Sequence, residues 1–374
     1  MKKLFIITGE HSGDKHASDV VRELKSLNPE LVIHGIGGEN LKAQGVKLFS
    51  DHSKMNSVGF SFKIIYDHIN LGKRTVDYLK QFMPDAILLI DYGGFNLNIS
   101  KIIKKELPQI KIYYFIPPQI WASRKWRINT VKKYIDKVFC IFPFEKELYR
   151  KNEINYEFVG HPLVHQIPRG HDRHAFFAKY NLDENKKLVS IFPGSRVFEV
   201  KNLLKTFVKA SEIIKNNLKD TQFVIALAPN LKKNVIELFL PKNCDIQIIQ
   251  NENYSLLELS DILILASGTV ALEAALYKTP MLISYKGPLI LYLIYLLVRC
   301  IKQVSLPNII MGHDIIKELI QFRSKPRFVA EETINILTNK EYKDKMVDNL
   351  SMVESKLTAL VPAAEVAKNI INLK

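Results

Sequence analysis

The sequence predicts an α/β protein built from two doubly wound halves. Three observations carry this reading. Short apolar runs closed by turn residues alternate with helical patterns, as in a parallel sheet with helices on both faces. The alternation stops at residues 161–174 (HPLVHQIPRGHDRH) and then restarts. The length of 374 residues suits two domains.

In the first half, strands are expected at residues 4–8, 32–36, 86–90, 112–116, 138–142 and 157–159, with helical patterns such as 18–27 and 99–107 between them. The run after Met1-Lys2-Lys3 is too short for a signal-peptide core and meets Gly9 at once, so it reads as the first strand. The His-, Pro- and Gly-rich stretch at 161–174 reads as a linker. Strands of the second half are expected at 188–192, 223–228, 246–249, 262–266 and 281–284. After Asn308 only helical patterns are expected, ending in a helix over 363–373 that could pack on either half.

Lys and Arg number 53 against 38 Asp and Glu, a net charge of +15. The excess is local: residues 101–151 hold 13 basic and 4 acidic residues. Such a patch calls for a nucleic acid, an anionic membrane surface or a phosphorylated substrate. No helix-turn-helix, zinc-finger or RNP motif is present, so no nucleic-acid partner is expected. Cys140, Cys244 and Cys300 are far apart and form no Cys-x-x-Cys pair, which fits a reducing cytosol and argues against a thiolate zinc site. Of the four histidines at 161–174, the i, i+4 pair His161 and His165 brackets Pro162, a poor frame for a metal. The most apolar segment, 288–298, falls short of the ~20 residues that span a bilayer. Its basic flanks suit either a core helix or an interfacial element. Residues 56–74 have a similar apolar character and suit an acyl-chain groove.

In open α/β sheets, ligands bind beyond the carboxyl ends of the strands, so the residues there are the first candidates. After the first strand comes Gly9-Glu10-His11-Ser12-Gly13-Asp14. Ser12 or Asp14 is expected to cap the next helix, while Glu10 sits at the strand end. Asp91 follows the apolar run 86–90 and suits either a general base or a structural acceptor for turn amides. Trp121, Arg124, Lys125, Trp126 and Arg127 interleave aromatic and basic groups, a pattern for a phosphate-bearing ligand or for a core tryptophan beside a solvated face. In the second half, Gly194-Ser195-Arg196 and Ser267-Gly268-Thr269 each join a strand to a helix, where free backbone N–H groups can hold an anion. Glu273 stands among Ala and Leu, and suits the vicinal hydroxyls of a ribose or, less well, an exposed place on the helix's polar stripe.

Taken in order, these blocks resemble the lipid-A-disaccharide synthase family over nearly the whole chain. The resemblance rests on Gly9-Glu10-x-Ser12-Gly13-Asp14, Gly35-x-Gly37-Gly38, Asp91-x-x-x-Phe95-Asn96, Pro118-x-x-Trp121-Ala122 and Phe142-Pro143-Phe144-Glu145. It continues through Gly160-His161-Pro162, Pro193-Gly194-Ser195-Arg196, Ser267-Gly268-Thr269 with Glu273, and Ser305-Leu306-Pro307-Asn308. Ser123 and Tyr92-Gly93-Gly94 depart from the family pattern.

The resemblance implies a GT-B glycosyltransferase with two Rossmann-like domains facing a cleft. Residues 1–165, joined by the last helix at 352–374, would form the acceptor domain, and 166–351 the UDP-sugar domain. It implies inverting transfer from UDP-2,3-diacylglucosamine to lipid X (2,3-diacylglucosamine 1-phosphate). Asp91 and Arg196 would be catalytic. Gly194, Ser195, Arg196, Ser267, Gly268, Thr269, Glu273 and Asn308 would bind the UDP side. Glu10, Ser12, Asp14, Asn96, Trp121 and Arg124 would bind the acceptor side. No metal or other cofactor is expected. A peripheral place on the anionic inner membrane, facing the cytoplasm, is expected, and the sequence leaves a homodimer open. The rivals are another GT-B enzyme on UDP-sugars, such as an epimerase or a lipid-linked glycosyltransferase, and more distantly a nucleic-acid-binding protein.

Overall fold

A run such as Ala86–Ile90 has no polar face, so it is stable only where both faces of a sheet are covered. The computed structural model places it there, with all five of its residues buried. The structure describes residues 1–51, 62–241, 244, 246–289, 292, 296, 301–358 and 360–372. The apolar segment 288–298 and the first part of 56–74 fall largely outside these residues.

The chain divides into two compact units, one of Met1–Pro162 with Leu357–Lys374 and one of Leu163–Lys356. The first holds β1 (Lys3–Ile7), β2 (Val32–Gly37), β3 (Lys47–Asp51), β4 (Ala86–Ile90), β5 (Lys111–Phe115), β6 (Lys137–Cys140) and β7 (Tyr156–Phe158). Their order in the sheet is β3-β2-β1-β4-β5-β6-β7, and every neighbouring pair is parallel. The second unit holds β8 (Lys187–Phe192), β9 (Thr221–Leu227), β10 (Gln247–Gln250), β11 (Ile262–Ala266), β12 (Met281–Tyr285) and β13 (Lys317–Ile320). Its order is β10-β9-β8-β11-β12-β13, also parallel throughout.

In both sheets the winding reverses beside the first strand, between β1 and β4 and between β8 and β11. These reversals are the switch points at which a doubly wound sheet opens a crevice for ligands. Ile7 pairs with Leu89 across the first, and Phe192 with Leu265 across the second. The turns that follow therefore emerge side by side.

The last helix, Pro362–Ile371, packs on the first helix, His11–Leu27. Val366 and Ile370 on one and Ala17, Val21 and Leu24 on the other are buried at helical spacing. The helix thus belongs to the first unit.

One expectation is corrected. Residues beyond Asn308 are not all helical, because Lys317–Ile320 forms the edge strand β13 against β12. Only Leu319 of this strand is fully buried. Four residues with one core contact carry too little apolar signal to register as a strand. The edge strand β3 eluded the sequence reading for the same reason, with no fully buried residue.

Candidate active site

At the first switch point, β1 leads into Gly9-Glu10 and β4 into Asp91-Tyr92. Asp91 and Tyr92 both have left-handed backbones, with φ of 49° and 51°, a conformation that costs a residue with a Cβ about 1 kcal/mol or more. Surrounding groups hold it. The Asp91 amide donates to Phe115 O at 3.1 Å, and its carbonyl accepts from Tyr114 Oη and from Asn96 Nδ2, both at 2.7 Å. Tyr92 Oη meets His68 Nε2 at 2.5 Å. Burial raises the Asp91 pKa, which makes its carboxylate a better base. Burial and then the Asp91 charge raise that of Glu10. Coulombic coupling of this kind links the two acids electrostatically.

Other expected acceptor-side residues have different positions. Helix His11–Leu27 begins one residue after Glu10, which occupies the N-cap position without a side-chain cap bond. Ser12 and Asp14 therefore lie inside the first turn, and neither caps it. Ser12 is exposed. Asp14 is fully buried, and its carboxylate accepts from the amides of Gly38 at 2.6 Å and Asn40 at 2.9 Å. It ties the first helix to the turn after β2. Asn96 is also fully buried and pins the Asp91 turn. The Asp14 carboxylate and the Asn96 N–H groups are thus bonded to the protein's own backbone, and the buried Asn96 Oδ1 has no hydrogen-bond partner.

Trp121 Nε1 donates to Glu145 at 3.2 Å, and its ring meets Phe144 edge-on at 4.9 Å between centroids. Glu145 also accepts from the amides of Ile141 and Phe142. The tryptophan is half-buried and anchored, whereas Trp126 is 70% exposed. Arg124 is exposed with φ of 55°.

At the second switch point, a pocket of 440 Å³ gathers Gly194, Ser195, Arg196, Ser267, Gly268, Thr269 and Glu273. Blocks some 70 residues apart in the chain thus line one cavity. Among the described residues, nothing accepts from the amides of Gly268, Thr269 or Val270. Their N–H groups remain available to an anion. Glu273 is largely buried, which raises its pKa, and its carboxylate makes no hydrogen bond among the described residues.

The other turn departs from expectation. Its amides are not free, because Glu199 Oε2 accepts from Ser195 N at 3.0 Å and from Arg196 N at 3.3 Å. Glu199 already fills the anion position of its own helix start. What this turn offers a ligand is the Arg196 side chain, 72% exposed and only loosely held by Glu199 at 3.4 Å.

Asn308 does not line this pocket. It is fully buried, donates to Ile316 O and Glu318, and accepts from the amides of Ile315 and Ile316. Its amide is saturated, so it shapes the 305–316 turn. Asn230 and Asn253 do line the pocket and escaped the sequence reading. Their signal was position alone, just past the ends of β9 and β10. Among the described residues, no group of three or more His, Cys, Asp or Glu is placed to hold a metal ion.

This fold, with a crevice at the switch point of each sheet, is that of the GT-B class. The UDP-GlcNAc 2-epimerase from Neisseria meningitidis, solved bound to UDP-GlcNAc, superposes with a TM-score of 0.64 over 99% of this chain and 98% of that one, at 15% identity. The glycotransferase of kitacinnamycin superposes with a TM-score of 0.63. The family is narrower. Residues 4–371 match the lipid-A-disaccharide synthetase family. The lipid-A-disaccharide synthase of Coxiella burnetii (strain CbuG_Q212) is 36% identical, covering 100% of this chain and 98% of its own. Lipid-A-disaccharide synthase 1 of Legionella pneumophila (strain Lens) is 31% identical, covering 96% and 94%. The chain belongs to the lipid-A-disaccharide synthetase family and is a glycosyltransferase.

Proposed function

We propose that this enzyme joins UDP-2,3-diacylglucosamine to 2,3-diacylglucosamine 1-phosphate, forming the β(1→6) lipid A disaccharide 1-phosphate and UDP. The observation that carries the reading is the convergence of Gly194–Arg196, Ser267–Thr269 and Glu273 on one pocket, in a chain that matches the family from end to end.

The step is a single displacement with inversion. The acceptor 6-oxygen attacks the sugar C1, a C–O bond forms there, and the bond from C1 to the UDP oxygen breaks. Asp91 takes the hydroxyl proton. Arg196 and the open amides of residues 268–270 receive the charge that collects on UDP. Glu273 accepts from the ribose hydroxyls. Glu10 lies beside Asp91 and orders the acceptor-side turn, with Trp121 and Arg124 on the same side. These groups make the transfer metal-independent. No described helix is long and apolar enough to cross a membrane; the basic 101–151 region supports a peripheral place on an anionic inner-membrane surface.

The test is incubation of the enzyme with both lipids in EDTA, following UDP release and product mass. Disaccharide 1-phosphate is the expected product. Asp91→Asn is expected to lower kcat by about 10²–10⁴-fold. A wild type that releases no UDP across a range of acyl lengths would sink the assignment.

A further inference from the structure

Arg127 is poorly placed for an arginine that serves stability alone. It opens the helix Arg127–Tyr134, whose first turn holds no acidic residue. A cation at a helix start opposes the macrodipole. Burial and the neighbouring Arg124 charge both lower its pKa, so it is partly desolvated and beside a like charge. Among the described residues its guanidinium makes no ion pair and no hydrogen bond. A cation so placed is held by water alone unless something else supplies a counter-charge.

Its surroundings indicate what that is. Arg127 Nη1 lies 3.6 Å from where a Cβ on Gly93 would stand, two residues after Asp91 in the chain. Arg127 also acts electrostatically on Tyr114, whose hydroxyl holds the Asp91 carbonyl at 2.7 Å. Gly94 beside it is exposed, and a Cβ there would meet nothing within 4 Å. The unpaired guanidinium therefore borders the catalytic turn. A guanidinium fork matches a phosphomonoester in shape and charge.

We propose that Arg127 binds the phosphate of the acceptor and makes that phosphate a condition of efficient transfer. This rests on the transfer reaction proposed above. Arg127 is then a specificity determinant rather than a group acting on the reacting atoms.

The experiment compares kcat and KM for the phosphorylated acceptor and for the same diacylglucosamine without its 1-phosphate. Wild type is expected to prefer the phosphorylated acceptor. Arg127→Ala is expected to lower kcat/KM for that acceptor by roughly 10- to 100-fold, mainly through KM, the loss expected for a hydrogen-bonded charge pair. The unphosphorylated acceptor should be used about as before, and UDP affinity and thermal midpoint should hold, showing an intact fold. Arg127→Lys should fall between, keeping the charge but losing the fork. If Arg127→Ala weakens both acceptors equally, or leaves the preference intact, the assignment is wrong. If wild type uses both acceptors equally well, the phosphate assignment falls while the transfer reading stands. If wild type uses neither, the transfer reading itself falls.

Discussion

The indole N–H of Trp121 donates to a carboxylate, that of Glu145, which is only 1% exposed. Glu145 Oε2 serves the amides of Ile141 and Phe142, and Oε1 serves Trp121. Burial pushes the Glu145 pKa up to about 7, against the opposing pull of its three donors.

The unfolded chain has an ordinary carboxylate there, so folding takes up a proton between pH about 4.5 and 7. The associated stability is fully present below that window and is lost as pH rises through it, by about 3 kcal/mol. Glu145→Gln does not titrate. The stability of wild type relative to the variant should fall by about that amount between pH 4.5 and 7.5, measured by urea unfolding. His16 and His161, lowered by burial to about 4 and about 3, act in the opposite sense: their contribution is lost as pH drops below 6.5. They are common to both proteins and cancel. A flat difference curve would remove Glu145 as the titrating group. The variant also sets an amide N–H against the Trp121 N–H, so Trp121 emission should shift while that of exposed Trp126 stays.

Gly9 leaves room for the Tyr92 ring. A Cβ at residue 9 would stand 2.3 Å from Tyr92 Cδ1, far inside contact distance, and Tyr92 adjoins Asp91 in a strained turn. Gly9→Ala should displace both residues and lower kcat on the order of 10- to 100-fold, because misplacement by an ångström is costly for a positioned base. UDP affinity, set in the other unit, should be unchanged. A normal kcat would show that Tyr92 yields without disturbing Asp91.

Glu199 separates two ways of binding a diphosphate. If the amides of Ser195 and Arg196 were the ligand site, Glu199→Ala would free them and tighten UDP binding. Because Glu199 instead shapes the turn, with Gly194 held at φ of 111° against it, the variant should weaken UDP binding by about 10-fold. Calorimetric titration with UDP distinguishes the two. Arg196→Lys should weaken UDP as well, since Lys does not replace the fork.

Much of this arrangement was legible in the chain before folding. The strand–helix alternation, the break near residue 165 and the motifs after β1, β4, β8 and β11 follow from local pattern, because an apolar run and its turn are decided over five to ten residues. The short edge strands β3 and β13 were not legible, because edge pairing buries too little to leave a pattern.

The tertiary structure decided which motifs meet and which polar groups are spent. Strand order sets β1 beside β4 and β8 beside β11, so Glu10 joins Asp91, and Ser195 joins Thr269. Asp14 and Asn308 sit in motifs that look ligand-facing, yet groups of the protein already occupy them, just as Glu199 occupies the amides of the Ser195 turn. A side chain's free hydrogen-bonding capacity depends on what folds back over it from distant sequence. For that reason the motif residues alone could not separate Arg196 and Glu273, which line the second unit's pocket, from Asn308 and Asp14, which each hold a turn of their own unit.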